Sequence, residues 1–384
     1  MTSTALTAAQ QATKVAQQNM AARMELISTG LAFTKRLPAN NTQQALLGST
    51  IRVPLDRTGI VTGVTLFITA SVDITAAATV NQFGPYSLLK EVQYVDFAGV
   101  KHVNTTGIQL HVLNCLRGAK LFNNAHKMFG YIPSETGIDT DILNVPTAVG
   151  TANMVFAVYV PLAYDPTSDL RGAILAQVDR GEHYINITFA NSLVNADPVL
   201  APYSAGTAAL AAGSVINVDT FMHYIMPQAG VSPTNLPMID LGTIYEISGG
   251  LVDSSNIVAG QSKYINWPNN RAVLSSLHFF NQAAAGGTLN GTDLNLIVMM
   301  INGNTNVREL TPQVLRAMMR YTLGVDLASG LYYLSARRQP ITTQLYGNVQ
   351  TRFDVATAGN GSYFVNGYES FYLAGTPLPG VIQA

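Results

Sequence analysis

Two stretches of the sequence set carboxylates close together: Asp139 and Asp141 in "DTD", and Asp165 and Asp169 in "PLAYDPTSDLRGAIL" (161–175). Such pairs could bind calcium or share a proton in glycoside cleavage. A calcium loop needs roughly six or more oxygen ligands, and a glycosidase pair is fixed by separation in space, not in sequence. Both pairs therefore read as turns. In the second, Pro161 ends a strand, Asp165-Pro166 starts a turn, and Ser168 or Asp169 caps a short helix beginning near Leu170. Six histidines run from His102 to His278 and there is one cysteine, Cys115, without zinc-ligand spacing. No G-x-S-x-G and no H-E-x-x-H occurs. "GNGS" (359–362) lacks the lysine and following helix of a phosphate loop, so it too is a turn. Sugar platforms need flat aromatics; the chain has one tryptophan, Trp267, and "YY" (332–333) reads as strand packing. Arg337-Arg338 is either a solvated turn or a contact to a neighbour's acid. Five N-x-S/T triplets, starting at Asn40, Asn104, Asn186, Asn290 and Asn360, are what an Asn/Thr-rich composition yields by chance. The expectation is no catalytic residue, no cofactor and no metal site.

The composition explains what such a chain is for. Only 11% of its 384 residues are charged, where globular chains carry about 25%. Mean hydropathy is +0.20. Net charge is −1, too little to hold nucleic acid or anionic lipid by bulk field. The longest apolar run, "LNLIVMMIN" (294–302), is strand-sized, far below the roughly 18 residues of a membrane span. A chain this apolar either holds one unusually large core or hides its flanks against other protein. The second reading makes it an assembly subunit. A lone cysteine excludes an internal disulfide, and residues 1–30 lack the apolar stretch of a signal peptide.

The elements follow from periodicity. In "GVTLFITASVDIT" (63–75) apolar and polar residues alternate, the signature of a half-buried strand. "MVFAVYVPLAY" (154–164), "HYINITFANS" (183–192), "VINVDTFMHYIMP" (215–227), "LNLIVMMIN", "GLYYLSA" (330–336), "TQLYGNVQTRFDV" (343–355) and "SYFVNGYESFYLA" (362–374) continue it. In the second of these, Ile185, Ile187 and Phe189 point inward. Two helices interrupt: "TTGIQLHVLNCLRGAK" (105–120), with Ile108, Val112, Cys115 and Ala119 on one face, and "ELTPQVLRAMMRYTLG" (309–324), with Thr311 as cap and Val314, Met318 and Tyr321 on one face. One helix per run of strands predicts a duplicated β-sandwich with its break in "MPQAGVSPTNLP" (226–237). The stretches 120–150 and 195–214 read as excursions from the first sandwich.

The first residues differ. Leu6, Ala9, Ala16, Met20, Met24, Ile27 and Leu31 fall on one stripe at helical spacing, predicting a helix over about 5–29 that ends at Gly30. The stripe is weak, so this helix must lie on something.

Six segments in order, "FGPYSLL" (83–89), "HVNTTGIQLHVLN" (102–114), "YVPLAYDPTSDLRGAILAQV" (159–178), "LPMIDLGTIYEI" (236–247), "GLYYLSARRQPI" (330–341) and "QLYGNVQ" (344–350), resemble the major capsid protein of tectiviruses, tailless icosahedral bacteriophages with an internal membrane. The resemblance implies an all-β chain of two tandem eight-stranded jelly rolls with an N-terminal helix and a short helix flanking each. The expected divisions are a helical arm (1–37), a first jelly roll (38–235), a second (236–373) and a tail (374–384). It implies a homotrimer of nearly hexagonal outline, assembled in the bacterial cytoplasm and tiled beside other trimers, vertex proteins and minor capsid proteins in the virion shell. It also implies that the arm faces the viral membrane through Lys14, Met20, Arg23, Met24 and Ile27, with no direct nucleic-acid contact. The alternative is a carbohydrate-binding or carbohydrate-cleaving β-sandwich such as a receptor-binding spike.

Overall fold

A computed structural model of the chain describes residues 30–37, 42–118, 143–176, 181–197, 199–226, 243–253, 259–282, 287–288, 294–303, 305–323, 330–346, 348–356 and 363–372, with 11, 14, 17, 18 and 26. One strand pattern is built twice. In the first half, Leu31–Leu37 (continued by Gln43–Ala45), Ile216–Met226, Ile60–Val80 and Gly150–Pro161 form one sheet. Thr50–Pro54, Tyr184–Phe189, Leu89–Val95 and Lys101–Thr105 belong to the other. In the second half, Ile244–Asp253, Tyr363–Tyr372, Arg271–Phe279 and Leu331–Ser335 lie side by side, and Ser262–Asn266, Val349–Val355, Leu294–Ile301 and Thr305–Leu310 form the second sheet. Numbered within each half, the pairing orders are 1-8-3-6 and 2-7-4-5 both times. That is the jelly-roll order, so the expected duplication is present in the strand topology.

Alternation drives the burial. Along Ile60–Val80, Leu66, Ile68, Ala70, Val72 and Ile74 are buried while Phe67, Thr69, Ser71 and Asp73 are not. Tyr184–Phe189 buries Ile185, Ile187 and Phe189, as its sequence predicts. Tyr332 and Tyr333 are both buried packing residues. Each helix follows the fifth strand of its half. Thr106 Oγ1 accepts from Gln109 N at 3.2 Å and Thr311 Oγ1 from Val314 N at 3.3 Å, so both start on threonine caps.

Four expectations are corrected. Residues 31–37 of the expected arm are a strand, paired along its whole length with Leu37↔Thr220 to Leu31↔Met226; it covers the edge that Ile216–Met226 would otherwise leave unpaired. Thr343–Tyr346 is a single helical turn, and its strand starts only at Val349. The 195–214 excursion contains the strand Tyr203–Leu210, which extends the sheet beside Ile60–Val80. No helix follows Leu170; Gly172 sits at φ 88° there, left-handed backbone that ends any helical run. The Asp139/Asp141 pair, "GNGS" and residues 374–384 lie outside the described residues, as does the expected break at 226–237 beyond Met226.

The halves are not independent. Lys101–Thr105 runs parallel to Ile244–Asp253, pairing Val103 with Ile247 and Asn104 with Ser248, so a nine-stranded sheet crosses the seam. The buried apolar core is likewise shared by both halves. Gln109, fully buried on the first helix, reaches across: its Nε2 donates to Ser248 O at 3.2 Å, and Thr105 donates to its Oε1. Gly249 and Gly367 make room for it. A Cβ on Gly249 would lie 2.2 Å from Asn366 O and 2.4 Å from Gln109 Oε1. Gly249→Ala should therefore cost about 1–3 kcal/mol by overpacking, read as a lowered thermal midpoint. Gly260→Ala, where the added carbon meets nothing within 4 Å, should not disturb the seam and should show only the backbone cost of its φ of 75°.

Candidate assembly surfaces

A second clamp closes the seam from the first half's 161–175 turn. Asp165 accepts from Thr167 N at 2.8 Å and Ser168 Oγ at 2.6 Å. Burial disfavours its charge, but these hydrogen bonds from Ser168 and Thr167 outweigh that and hold the carboxyl below its usual range. Asp169 binds Arg171 Nε at 2.8 Å, and the guanidinium lies 4.3 Å from the Phe371 ring of the second half. The rings of Tyr164, Tyr245 and Phe371 form a cluster with centroids 5.4–5.8 Å from one another. Gly172 permits this approach, since a Cβ there would meet Tyr245 Cβ at 2.2 Å. The carboxylate pair thus forms a turn, as its sequence suggests, and that turn clasps the other half. Phe83, from "FGPYSLL", meets Phe279 edge-on at 4.7 Å.

Beneath this clamp Glu369 is fully buried. Its carboxylate accepts from Tyr245 Oη at 2.6 Å, Ser275 Oγ at 2.9 Å and Arg337 Nη2 at 2.8 Å. Burial alone would lower the Arg337 pKa; the Glu369 charge more than offsets that and raises it. Arg337 is therefore neither a solvated turn nor a neighbour's partner but the counter-ion of an acid 32 residues away. Sequence offered no sign of this, because Glu369 sits in an ordinary strand. Arg337→Ala should cost about 3–5 kcal/mol by stranding a buried charge. Arg337→Met with Glu369→Leu should cost less than the single change, measured by urea unfolding.

His278 is packed among rings, with Phe353 at 5.0 Å and Tyr368 at 6.1 Å. Burial drives its imidazole from 6.5 down to about 3. The native state keeps it neutral while the unfolded chain binds a proton below about 6.5. Stability is therefore lost as pH falls from about 6.5 towards 3, and no more is lost below. At pH 4.5 the loss is about 2–3 kcal/mol. His278→Leu should shrink the difference in unfolding free energy between pH 7 and pH 4.5 by that amount.

The arm residues divide. Lys14 is helical and exposed, while Met20, Arg23, Met24 and Ile27 lie outside the described residues. Leu26, off the expected stripe, is buried against Ile60, Ala163, Leu170, Ala173 and Ile225. Gly30 N donates to Leu26 O at 2.7 Å just before the strand begins. Leu31, expected on the helix stripe, is 55% exposed on that strand. The "LI" pair at 26–27 was the available signal, since either residue could anchor the exit.

The second helix turns its expected apolar face outward. Leu315 and Met319 pack on the core, whereas Val314, Met318 and Tyr321 are exposed, Tyr321 to 93%. Among the described residues no helix is long and apolar enough to cross a membrane, and no cluster of three or more His, Cys, Asp or Glu side chains could hold a metal ion.

Known proteins place this architecture. The N-terminal family model of the P3 major capsid protein matches residues 2–216, and the C-terminal model matches 242–378. The chain belongs to the P3 major capsid protein family. Major capsid protein P3 of Enterobacteria phage PRD1, a tectivirus, is 28% identical over 385 residues, 95% of each chain. The expected tectivirus-type double jelly roll is borne out, and the chain is a major capsid protein. More distant P3-like folds occur in solved viral structures. A chain of Sulfolobus Turreted Icosahedral Virus matches with TM-score 0.62 at 13% identity, covering 90% of this chain and 92% of that one. A PBCV-1 capsid chain gives 0.61 at 11%, covering 89% and 93%. P2 of Bacteriophage PM2 gives 0.51 at 10%, covering 90% and 100%. At these identities the likeness is one of fold.

Proposed function

We propose that this major capsid protein works as a homotrimer whose six jelly rolls give a nearly hexagonal tile, set beside other trimers, minor proteins and vertex proteins around an internal membrane. The observation that carries the reading is the rigid seam: two copies of one strand pattern are locked into a single block by a shared sheet, Gln109 and Arg171. Three such blocks make a ring of six similar units. The divisions we adopt are an arm that ends at about residue 30, a first jelly roll that begins with the strand Leu31–Leu37, a second from 236 and a tail from 374; the stretch 217–241 left unmatched between the two family models supports the boundary between the jelly rolls. In this reading assembly takes place in the bacterial cytoplasm, which the chain's lone Cys115 allows because folding needs no internal disulfide; burial pushes that thiol up to about 12.

The arm lies along the inner surface of the shell. Exposed Lys14 supports this, together with the Leu26 anchor that fixes where the arm leaves the body. Each base near anionic lipid contributes only about 1 kcal/mol, so attachment comes from many copies in one shell. Native mass spectrometry should give a trimer at micromolar concentration. Deleting residues 1–25, which keeps Leu26, should leave that trimer intact and abolish binding to anionic vesicles by assembled particles. A monomeric wild type refutes the tile, and full vesicle binding without the arm refutes its membrane role.

A further inference from the structure

The outward face of the first half's sheet holds a cleft of about 340 Å³, lined by the uncharged polar side chains of Gln44, Thr69, Ser71, Asn153, Ser214 and Asn217. That volume lies within the range of about 300–1,000 Å³ for small-ligand sites. Strand register builds the floor. Asn217 pairs with Gln44 on one side and with Thr69 on the other, and Ser71 pairs with Asn153. One row further along the same face stands Phe67, half-buried and opposite Asp219. The turn ahead of Ile216–Met226 makes one wall. Ala211 N donates to Ser71 O at 2.9 Å and Ser214 N donates to Ala211 O at 2.8 Å, which fixes the turn carrying Ser214.

The chemistry of this lining is narrow. Amide and hydroxyl side chains both donate and accept hydrogen bonds. Among the described residues none of the six is hydrogen-bonded through its side chain, so all of that capacity is open to a ligand. No charged residue lines the cleft. Asp219 and Asp73, on the same strands, are engaged elsewhere, the first by Arg36 and Thr42 and the second by Thr151. A phosphate would find no cation here, and a metal ion no carboxylate. The set matches a neutral ligand rich in hydroxyl groups, each of which also donates and accepts.

We propose that this cleft binds neutral carbohydrate, its amides and hydroxyls taking the sugar hydroxyls and Phe67 the C–H face of the ring. The position of the cleft indicates the source of the sugar. The arm leaves the body where Leu26 meets Ile60 and Ile225. Ile225 pairs with Ile60 and Ile216 with Ala70, so the cleft lies at the other end of Ile216–Met226. At about 3.4 Å per residue the two ends are roughly 30 Å apart. With the arm along the inner surface of the shell, the cleft faces outward, towards the polysaccharide of a cell surface. That orientation rests on the arm reading, whereas the cleft does not. One site holds weakly, and many copies in one shell multiply the attachment.

The test uses the full chain and two neutral probes, maltotetraose and chitotetraose. Saturation-transfer NMR should show binding of at least one, and Asn153→Ala with Asn217→Ala should weaken it at least roughly ten-fold. Gln44→Ala, on an exposed position of a three-residue strand, should weaken it too and guards against a folding defect in the double variant. Tyr264→Ala, which removes a half-exposed ring from the second half, should leave binding unchanged. Intact particles should be retained on beads carrying the bound probe. No transfer to either probe overturns the site, as does transfer that survives both cleft variants or is lost with Tyr264→Ala. Binding by the free chain without retention of particles overturns the outward orientation and leaves the cleft standing. The arm reading is decided separately, by vesicle binding after deletion of residues 1–25.

Discussion

Everything in this molecule depends on the angle between its two jelly rolls being fixed. Two parallel hydrogen-bonded pairs, Val103 with Ile247 and Asn104 with Ser248, are too few to fix it alone. The clamp comes from what surrounds them. Gln109 is inserted where two glycines leave space, and Arg171 is held by Asp169 over Phe371. Each is a polar group placed in an otherwise apolar joint and satisfied there, and buried polar groups with few possible partners tolerate few arrangements. Apolar contacts alone would let the halves slide at small cost.

The same economy governs charge. With only 11% of residues charged, several of the described ion pairs tie distant segments together rather than decorate the surface. Arg337 neutralises Glu369 under the seam, Arg271 binds Glu246 beside it, and Arg36 binds Asp219 on the first-half edge. Flanks left without charge can be covered by protein without stranding ions, which is the physical requirement for a shell built from closely packed copies. The low charge of the sequence and the placement of its few ions are one property seen at two scales.

Much of the fold was legible because its signals are local. Alternation along Ile60–Val80 and Tyr184–Phe189 marks strands wherever a sheet has one wet and one dry face. Thr106 and Thr311 mark helix starts because a hydroxyl must meet the first free amides. The carboxylate turn at Asp165 was legible for the same reason, each oxygen finding partners within three residues. Where the reading missed, the deciding contact was remote. Leu31–Leu37 became a strand because an edge 195 residues away was open to it (Leu31↔Met226). Arg337 faced inward because Glu369 was there, and Leu26 rather than Leu31 anchored the arm because Ile60 and Ile225 were there.

By itself the sequence determined the strongly alternating strands, the two capped helices, the doubled plan and the scarcity of charge, since each is set by neighbours a few residues apart. Only the tertiary structure decided which helix face is dry. Two helices with matching caps bury different sides because one has a following half to rest on within its own chain and the other has not. A helix that is apolar on more than one side carries no local mark of its partner, so its orientation belongs to the fold.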